Sequence, residues 1–249
     1  MNITGNTVFI PGATSGIGLG LAQRLKAKGN TVIAGGRRTE LLQRIQAEHG
    51  IDTIAIDTTD PASITAARDE LTARYPALDT LITVAGIMET EDLRDPADLE
   101  VAERTVAVNL LGPIRLISAF LPGLLTQPAA TVMTVTSGLA YVPLPATPTY
   151  NATKAAVHSF TESLRVQLTN SNVQVIELVP PATRTTLMNQ QNSEVAMPLD
   201  DLLDQVMGLI EADPKAEQIV VERVKWQRNA VAEGRYADVL GVLSGRYRS

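Results

Sequence analysis

A chain of 249 residues, 45% of them hydrophobic, holds enough apolar material for one sizeable core, and α/β folds of this length are commonly undivided. Its formal net charge of −6 argues against general nucleic-acid binding. The absence of cysteine excludes disulfides, thiolate catalysis and cysteine-ligated zinc. Only His49 and His158 could supply imidazole; they are far apart in sequence, both read as structural, and no metal site is expected. No basic region followed by an apolar run is visible at the N-terminus. The most apolar stretch, 109–125, is interrupted by Pro113, Arg115 and Pro122, unlike a membrane span. A cytoplasmic protein is expected.

Residues 7–10 are a short β-prone run, followed by PGATSGIGLGLAQRLKAKG. Gly12, Gly16 and Gly18 permit a tight turn and close backbone approach, residues 17–28 have helical periodicity, and Gly29 ends that helix. A glycine turn at a helix N-terminus offers free N–H groups and a favourable dipole to a pyrophosphate. The spacing G-x-x-x-G-x-G is a variant of the commoner dinucleotide fingerprint, and its setting between a strand and a helix strengthens that reading. The second strand, 31–34, runs into Gly35-Gly36-Arg37-Arg38. An acid here would bind the ribose 2′-hydroxyl of NAD, whereas arginine suits the 2′-phosphate of NADP. No acid is present, Gly36 is expected to leave space, and two guanidiniums follow. NADP(H) is therefore the expected cofactor, with NAD(H) as the alternative. Glu40 falls too late, inside the next helix.

Helix 39–48 leads to strand 53–56, which ends at Asp57-Thr58; helix 61–74 tolerates Pro61 in its first turn, and strand 80–84 ends at Ala85-Gly86. Asp57 and Gly86 thus lie just beyond strand carboxyl ends, where open parallel sheets bind ligands. A long helix over 97–125 carries Asn109, whose amide must be hydrogen-bonded if buried, as a structural bridge or as part of a site. Strand 131–136 ends at Ser137, and Pro143, Pro145 and Pro148 are expected to prevent any helix before Tyr150. Tyr150 opens a helix reaching 168, and Lys154 shares its face at i,i+4. A charge about 4 Å from the phenol would favour the phenolate by roughly 4 kcal/mol at an effective dielectric of about 20. That is roughly three pH units, enough to bring Tyr150 towards neutrality. Strand 173–178 then meets PPATRTTLMNQ, followed by a flexible excursion over 183–198, helix 199–211, strand 218–221, and short helices 224–232 and 236–243. Trp226, between Lys225 and Arg228, reads as a surface or subunit contact rather than a base-stacking platform. The alternation of strands and helices predicts one α/β domain over residues 1–249, a doubly wound parallel sheet with helices on both faces. Its excursions are the loop near 183–198 and a C-terminal extension near 214–249.

The ordered set of GATSGIG at residues 12–18, Asn109, Ser137 and Tyr150-x-x-x-Lys154 resembles the short-chain dehydrogenase/reductase family across nearly the whole chain. The interval of 13 residues from Ser137 to Tyr150 also matches. ELVPPA, at 177–182, is similar to the bacterial DltE-like branch. The resemblance implies a Rossmann-type fold in which Tyr150 is the general acid/base and Lys154 lowers its pKa while binding the nicotinamide ribose. By the same resemblance Ser137 hydrogen-bonds the substrate oxygen and Asn109 supports a water-mediated proton path. Gly12, Ser15, Gly16, Ile17 and Gly18 bind the cofactor's phosphates and adenosine half, Asp57 contacts adenine, and Ala85-Gly86 lines the cofactor's centre. Pro180, Thr183 and Thr185 face the nicotinamide. Three departures from the family pattern stand out: Pro11 before the glycine turn, Thr83-Val84 before Ala85, and Pro181 after Pro180.

The implied activity is NADP(H)-dependent interconversion of a carbonyl compound and an alcohol. Residues 139–145 and 183–198 are expected to form the pocket. Leu139, Val142, Leu144 and Met188 suggest a largely apolar ketone, aldehyde or alcohol. An NAD(H)-linked alcohol dehydrogenase and a non-catalytic NADP(H)-binding regulatory protein are the alternatives. A homodimer or homotetramer is expected, with neither nucleic acid nor membrane as partner.

Overall fold

The chain, described over residues 1–248 of a computed structural model, starts its sheet with β1 (Thr7–Pro11), which sends Val8 and Ile10 into one core and Phe9 into another. That split follows from the two-residue period of a strand buried on both faces. β2 (Thr31–Gly36), β3 (Asp52–Ala55), β4 (Thr80–Thr83), β5 (Ala130–Val135), β6 (Val173–Val179) and β7 (Gln218–Val220) join it in one parallel sheet. The strand order is β3-β2-β1-β4-β5-β6-β7. Helices α1 (Gly16–Ala27), α2 (Thr39–His49) and α7 (Leu199–Ala212) cover the first core through Leu21, Ile45 and Val206. Helices α3 (Pro61–Arg74), α5 (Gly112–Leu124) and α6 (Pro148–Gln167) cover the second through Leu71, Phe120 and Leu164. This is the expected doubly wound, Rossmann-type domain. Its strand order reverses between β1 and β4, and a crevice opens beyond their carboxyl ends.

The helical path over 96–124 is more finely divided than expected. A 3-10 turn (Pro96–Asp98) and α4 (Leu99–Val106) lead into a π-helical turn (Ala107–Leu111) before α5. Pro113 has no N–H for the carbonyl four residues earlier, that of Asn109. The helix widens there, and the Gly112 N–H bonds Ala107 O, five residues back. Pro148 likewise does not delay α6. It is the first helical residue, where its fixed φ and missing N–H are tolerated, so the helix starts two residues before Tyr150.

At the C-terminus, α8 (Lys225–Arg228) is shorter than expected and α9 (Tyr236–Arg248) longer. Val142, Ala230, Val239 and Leu243 make a small third core beneath the loop after β5, with Leu139, Leu144, Trp226 and Leu240 packed against it. Trp226, half-buried, packs part of its ring against this chain's own interior. Val142 is fully buried there and does not face a pocket. The excursion 183–198 is tied at its base, where Thr183 bridges Met197 and the Arg184 N–H donates to Met197 O at 2.8 Å.

The departures around Pro11 and Thr83 are bridged by backbone. The Pro11 carbonyl accepts from the N–H groups of Val84 at 3.4 Å and Ala85 at 3.2 Å. Thr83 instead turns its hydroxyl to Met133 O at 3.5 Å. Gly12 has φ 95°, and a Cβ built on it would lie 2.5 Å from Ala85 N. Gly12→Ala should therefore lower unfolding free energy by about 3 kcal/mol, from backbone overpacking and a disfavoured left-handed φ. Urea unfolding measures this directly; a loss near zero would show that the β1 and β4 ends do not meet as described.

Candidate active site

Helix α1 begins at Gly16, and the hydroxyl of its N-cap, Ser15, makes no capping bond. Its first-turn amides are thus left without a side-chain acceptor, in the geometry that receives an anion. A Cβ on Gly18 would lie 2.5 Å from Gly12 O, and one on Gly16 would lie 3.3 Å from Thr185 Cγ2. These residues line a groove of about 450 Å³ that also takes in Ile17, Arg37, Arg38, Asp57, Ala85 and Gly86.

At the end of β2 the expected space above Gly36 is filled. A Cβ there would lie 2.3 Å from Thr14 Cγ2, so Thr14 is what requires glycine. Arg38 Nη2 donates to Thr14 Oγ1 at 3.0 Å, holding one guanidinium against the glycine turn. Burial pushes the Asp57 carboxyl up, but hydrogen bonds from Thr59 N–H and Oγ1, together with the Arg37 charge, outweigh it and hold the group below its ordinary value. Free helix amides, a turn closed to any Cβ and two guanidiniums form a donor set that fits a phosphate-bearing dinucleotide. Thr14 and Thr59 were not singled out from sequence. Thr14 lies inside the glycine motif, whereas nothing local marked Thr59.

Pro180 and Thr183 sit apart from this groove. The Pro180 carbonyl accepts from Gly138 N–H at 3.1 Å, and the Thr183 hydroxyl donates to Pro181 O at 2.9 Å. Both bonds anchor the segment that carries the third departure, Pro181.

Ser137, Tyr150, Lys154 and Asn109 gather beside the groove. Ser137 caps the turn after β5, its Oγ accepting from Leu139 N–H at 3.1 Å, and it is also a hydrogen-bond partner of the Tyr150 phenol. Lys154 donates from Nζ to Val135 O at 2.8 Å and lies 5.6 Å from the Tyr150 ring centre. Asn109 is fully buried; its Nδ2 donates to Ile87 O at 2.7 Å and its Oδ1 accepts from Ile87 N–H at 2.8 Å. The two clusters meet at Gly86, where a Cβ would lie 3.4 Å from Asn109 Oδ1 and 3.8 Å from Lys154 Nζ.

At Tyr150, burial acts against the lowering expected of Lys154. Burial pushes the phenol up to about 12, and the bond with Ser137 recovers only part of that shift. Burial also lowers Lys154 to about 8. The ammonium donates to a backbone carbonyl, and desolvation of the phenolate is the largest influence on Tyr150. Sequence reasoning also missed Glu91, whose carboxylate accepts from Thr149 N–H at 3.0 Å and from Thr149 Oγ1 at 2.5 Å. It places a negative charge at the N-terminus of α6, one residue from Tyr150.

Residues 6–196 match the family model of short chain dehydrogenases. The chain is 40% identical over 196 residues to DltE, an uncharacterized oxidoreductase of Bacillus subtilis strain 168, covering 78% of this chain and 77% of the relative. Its fold superposes with a TM-score of 0.83 on a short chain dehydrogenase from Burkholderia cenocepacia J2315 in complex with NADP, at 27% identity over 95% of this chain and 97% of the other. A 3-ketoacyl-(acyl-carrier-protein) reductase from Brucella melitensis complexed with NADH gives 0.75 at 25% identity, over 86% and 93% of the two chains.

The depressed Lys154 value has a signed consequence. Between about 8 and the ordinary 10.5 the unfolded chain holds the ammonium proton more tightly than the fold does. Stability should therefore rise with pH across that window, by on the order of 3 kcal/mol. Tyr150 acts oppositely at higher pH, because the fold retains its proton beyond the ordinary 10.0. Urea unfolding of the unliganded protein at about pH 7 and about pH 9.5 should show about 2 kcal/mol of this gain, and Lys154→Met should abolish it. Equal slopes in the two proteins would refute a desolvated Lys154.

Proposed function

Because the chain belongs to the short chain dehydrogenase family, in its DltE-like branch, we propose that it is an NADP(H)-dependent oxidoreductase interconverting a carbonyl compound and an alcohol. The observation that carries this reading is the buried Ser137–Tyr150–Lys154 cluster joined through Gly86 to the dinucleotide groove. When bound, the cofactor supplies or accepts the hydride. Tyr150, held protonated by burial, is ready to donate to a carbonyl oxygen as negative charge develops on it. Ser137 orients the same oxygen. Lys154 still carries its charge at neutral pH and, from its place beside Gly86, holds the ribose on the nicotinamide side. The Asn109 side chain is committed to Ile87, so its part in a water-borne proton path falls to its main-chain carbonyl, which Pro113 cannot serve.

The 2′-phosphate of NADP(H) is assigned to Arg37 and Arg38, both on the groove wall. NAD(H) use is the second reading, favoured by the engagement of Arg38 with Thr14 and by the NADH complex of the Brucella relative. The substrate is read as a largely apolar ketone, aldehyde or alcohol. A cytoplasmic homodimer or homotetramer completes the proposal, supported by the exposed Leu99 and Leu111 along the helical path before α5.

Tyr150→Phe should reduce turnover by about a thousandfold in a panel of ketones and aldehydes followed at the nicotinamide absorbance. NADPH binding, measured by fluorescence, should be preserved. Turnover retained by this variant would remove Tyr150 from the mechanism. Replacing both Arg37 and Arg38 with Ala should raise the KM for NADPH about tenfold more than that for NADH; equal losses would overturn the phosphate assignment.

A further inference from the structure

Glu177, in the ELVPPA segment of β6, is fully buried, and a carboxylate persists in such a place only if its oxygens are paired. Its partners come from several elements. Thr136, immediately before Ser137, donates to Oε1 at 2.6 Å, and Gln218 of β7 donates to Oε2 at 2.6 Å. His158 Nδ1, from α6, lies 2.8 Å from Oε2. The Tyr141 hydroxyl, from the turn after Ser137, lies 3.4 Å from Oε1. Arg228 of α8 donates to Gln218 Oε1 at 2.8 Å and stacks 4.9 Å from the centre of the Tyr141 ring.

These groups bracket Ser137, with Thr136 before it and Tyr141 after it. Gly138, between them, is pressed by the C-terminal segment: a Cβ there would lie 2.6 Å from both Gln227 Oε1 and Val224 Cγ2. We propose that the Glu177–His158 ion pair is a positioning device for the reaction. With Thr136, Tyr141, Gln218 and Arg228 it holds the turn 137–141 in register with Tyr150, so that the chemical step, rather than cofactor binding, depends on the protonation of His158. The inference rests on the roles proposed above for Ser137 and Tyr150.

The groups facing His158 are Glu177 on β6, Tyr141 in the turn, Arg228 on α8 and Glu162 on its own helix, 3.7 Å from Nε2. The bond with Glu177 raises the imidazole above its ordinary value against burial, with Glu162 adding to the rise and Arg228 opposing it. Burial pushes Glu177 up, but bonds from His158, Thr136 and Gln218 outweigh it and hold the carboxyl below its ordinary value. The pair's contribution is therefore fully present below the ordinary imidazole value and lost as pH rises through the raised one. On the acid side it is lost as pH falls through the depressed Glu177 value. Neutral imidazole can still donate to Glu177 but no longer neutralises it.

The chain has only 2 histidines, so imidazole NMR can follow His158 directly, with His49→Gln to assign it. Wild-type kcat for carbonyl reduction should fall on the alkaline side in step with that titration. Glu177→Gln should lower kcat by about tenfold or more with NADPH affinity unchanged. His158→Gln keeps an amide donor but cannot titrate, and the part of the alkaline limb that tracks the His158 titration should vanish, leaving that of Lys154. The proposal is overturned if kcat stays within about twofold in both variants, or if NADPH affinity falls in parallel with kcat. It is also overturned if the part of the limb that follows the wild-type His158 titration is unchanged in His158→Gln, which decides the matter should Glu177→Gln fail to fold. Failure of wild-type turnover across all substrates would instead sink the proposed activity. The positioning claim would then be read from hydrogen exchange at the Leu139 amide, which donates to Ser137 Oγ. Protection should drop across the His158 titration, and unchanged protection would overturn it.

Discussion

The Lys154 ammonium, buried with its Nζ on the Val135 carbonyl, is the contact on which the candidate site depends. Removing an ammonium from water is costly, and a carbonyl acceptor offsets only part of that cost. The bond ties the early part of α6 to the last residue of β5. Ser137 follows Val135 by two residues and Tyr150 precedes Lys154 by one helical turn, so one interaction sets strand end and helix face together. Burial makes Tyr150 a weak acid that stays loaded with its proton at neutral pH, a state matched to protonating an oxygen during reduction.

Steric exclusion, more than side-chain bonding, shapes the cofactor side. Pro11 and Ala85 meet through backbone, Gly12 admits no Cβ against Ala85, and Gly36 admits none against Thr14. A polar pair at the Pro11 and Thr83 positions is therefore unnecessary for closing β1 onto β4. Thr14 both fills the space at the end of β2 and holds Arg38, linking the glycine turn to the guanidiniums.

The elements around the reacting groups are fastened from outside the motif that names them. Glu91 caps α6 from the loop after β4, Asn109 stitches that loop at Ile87, and Glu177 gathers the turn after Ser137 with β7 and α8. The third core then seals α9 and Trp226 over the same turn. The C-terminal segment is thus continuous with the active-site scaffold, and Val142 belongs to that seal rather than to a substrate wall.

Local rules determined much of this protein. Two-residue alternation, helical periodicity and glycine or proline punctuation specified the order of strands and helices, because each acts over a few neighbouring residues. Helical spacing likewise placed Tyr150 and Lys154 on one face, and the glycine turn marked a phosphate-binding helix start. Even the π-helical turn at Asn109 has a local cause in Pro113. What only the tertiary structure decided is the environment of those groups. Whether Lys154 acidifies Tyr150 depends on how deeply both are buried and on which acceptor takes the ammonium, and that acceptor lies 19 residues earlier on another element. The buried Glu177 hub and the Glu91 cap share this character, since their partners are neighbours in space and not in sequence. Residue spacing sets which groups share a face, but their acidity and orientation follow from desolvation and long-range pairing, which only the packed fold defines.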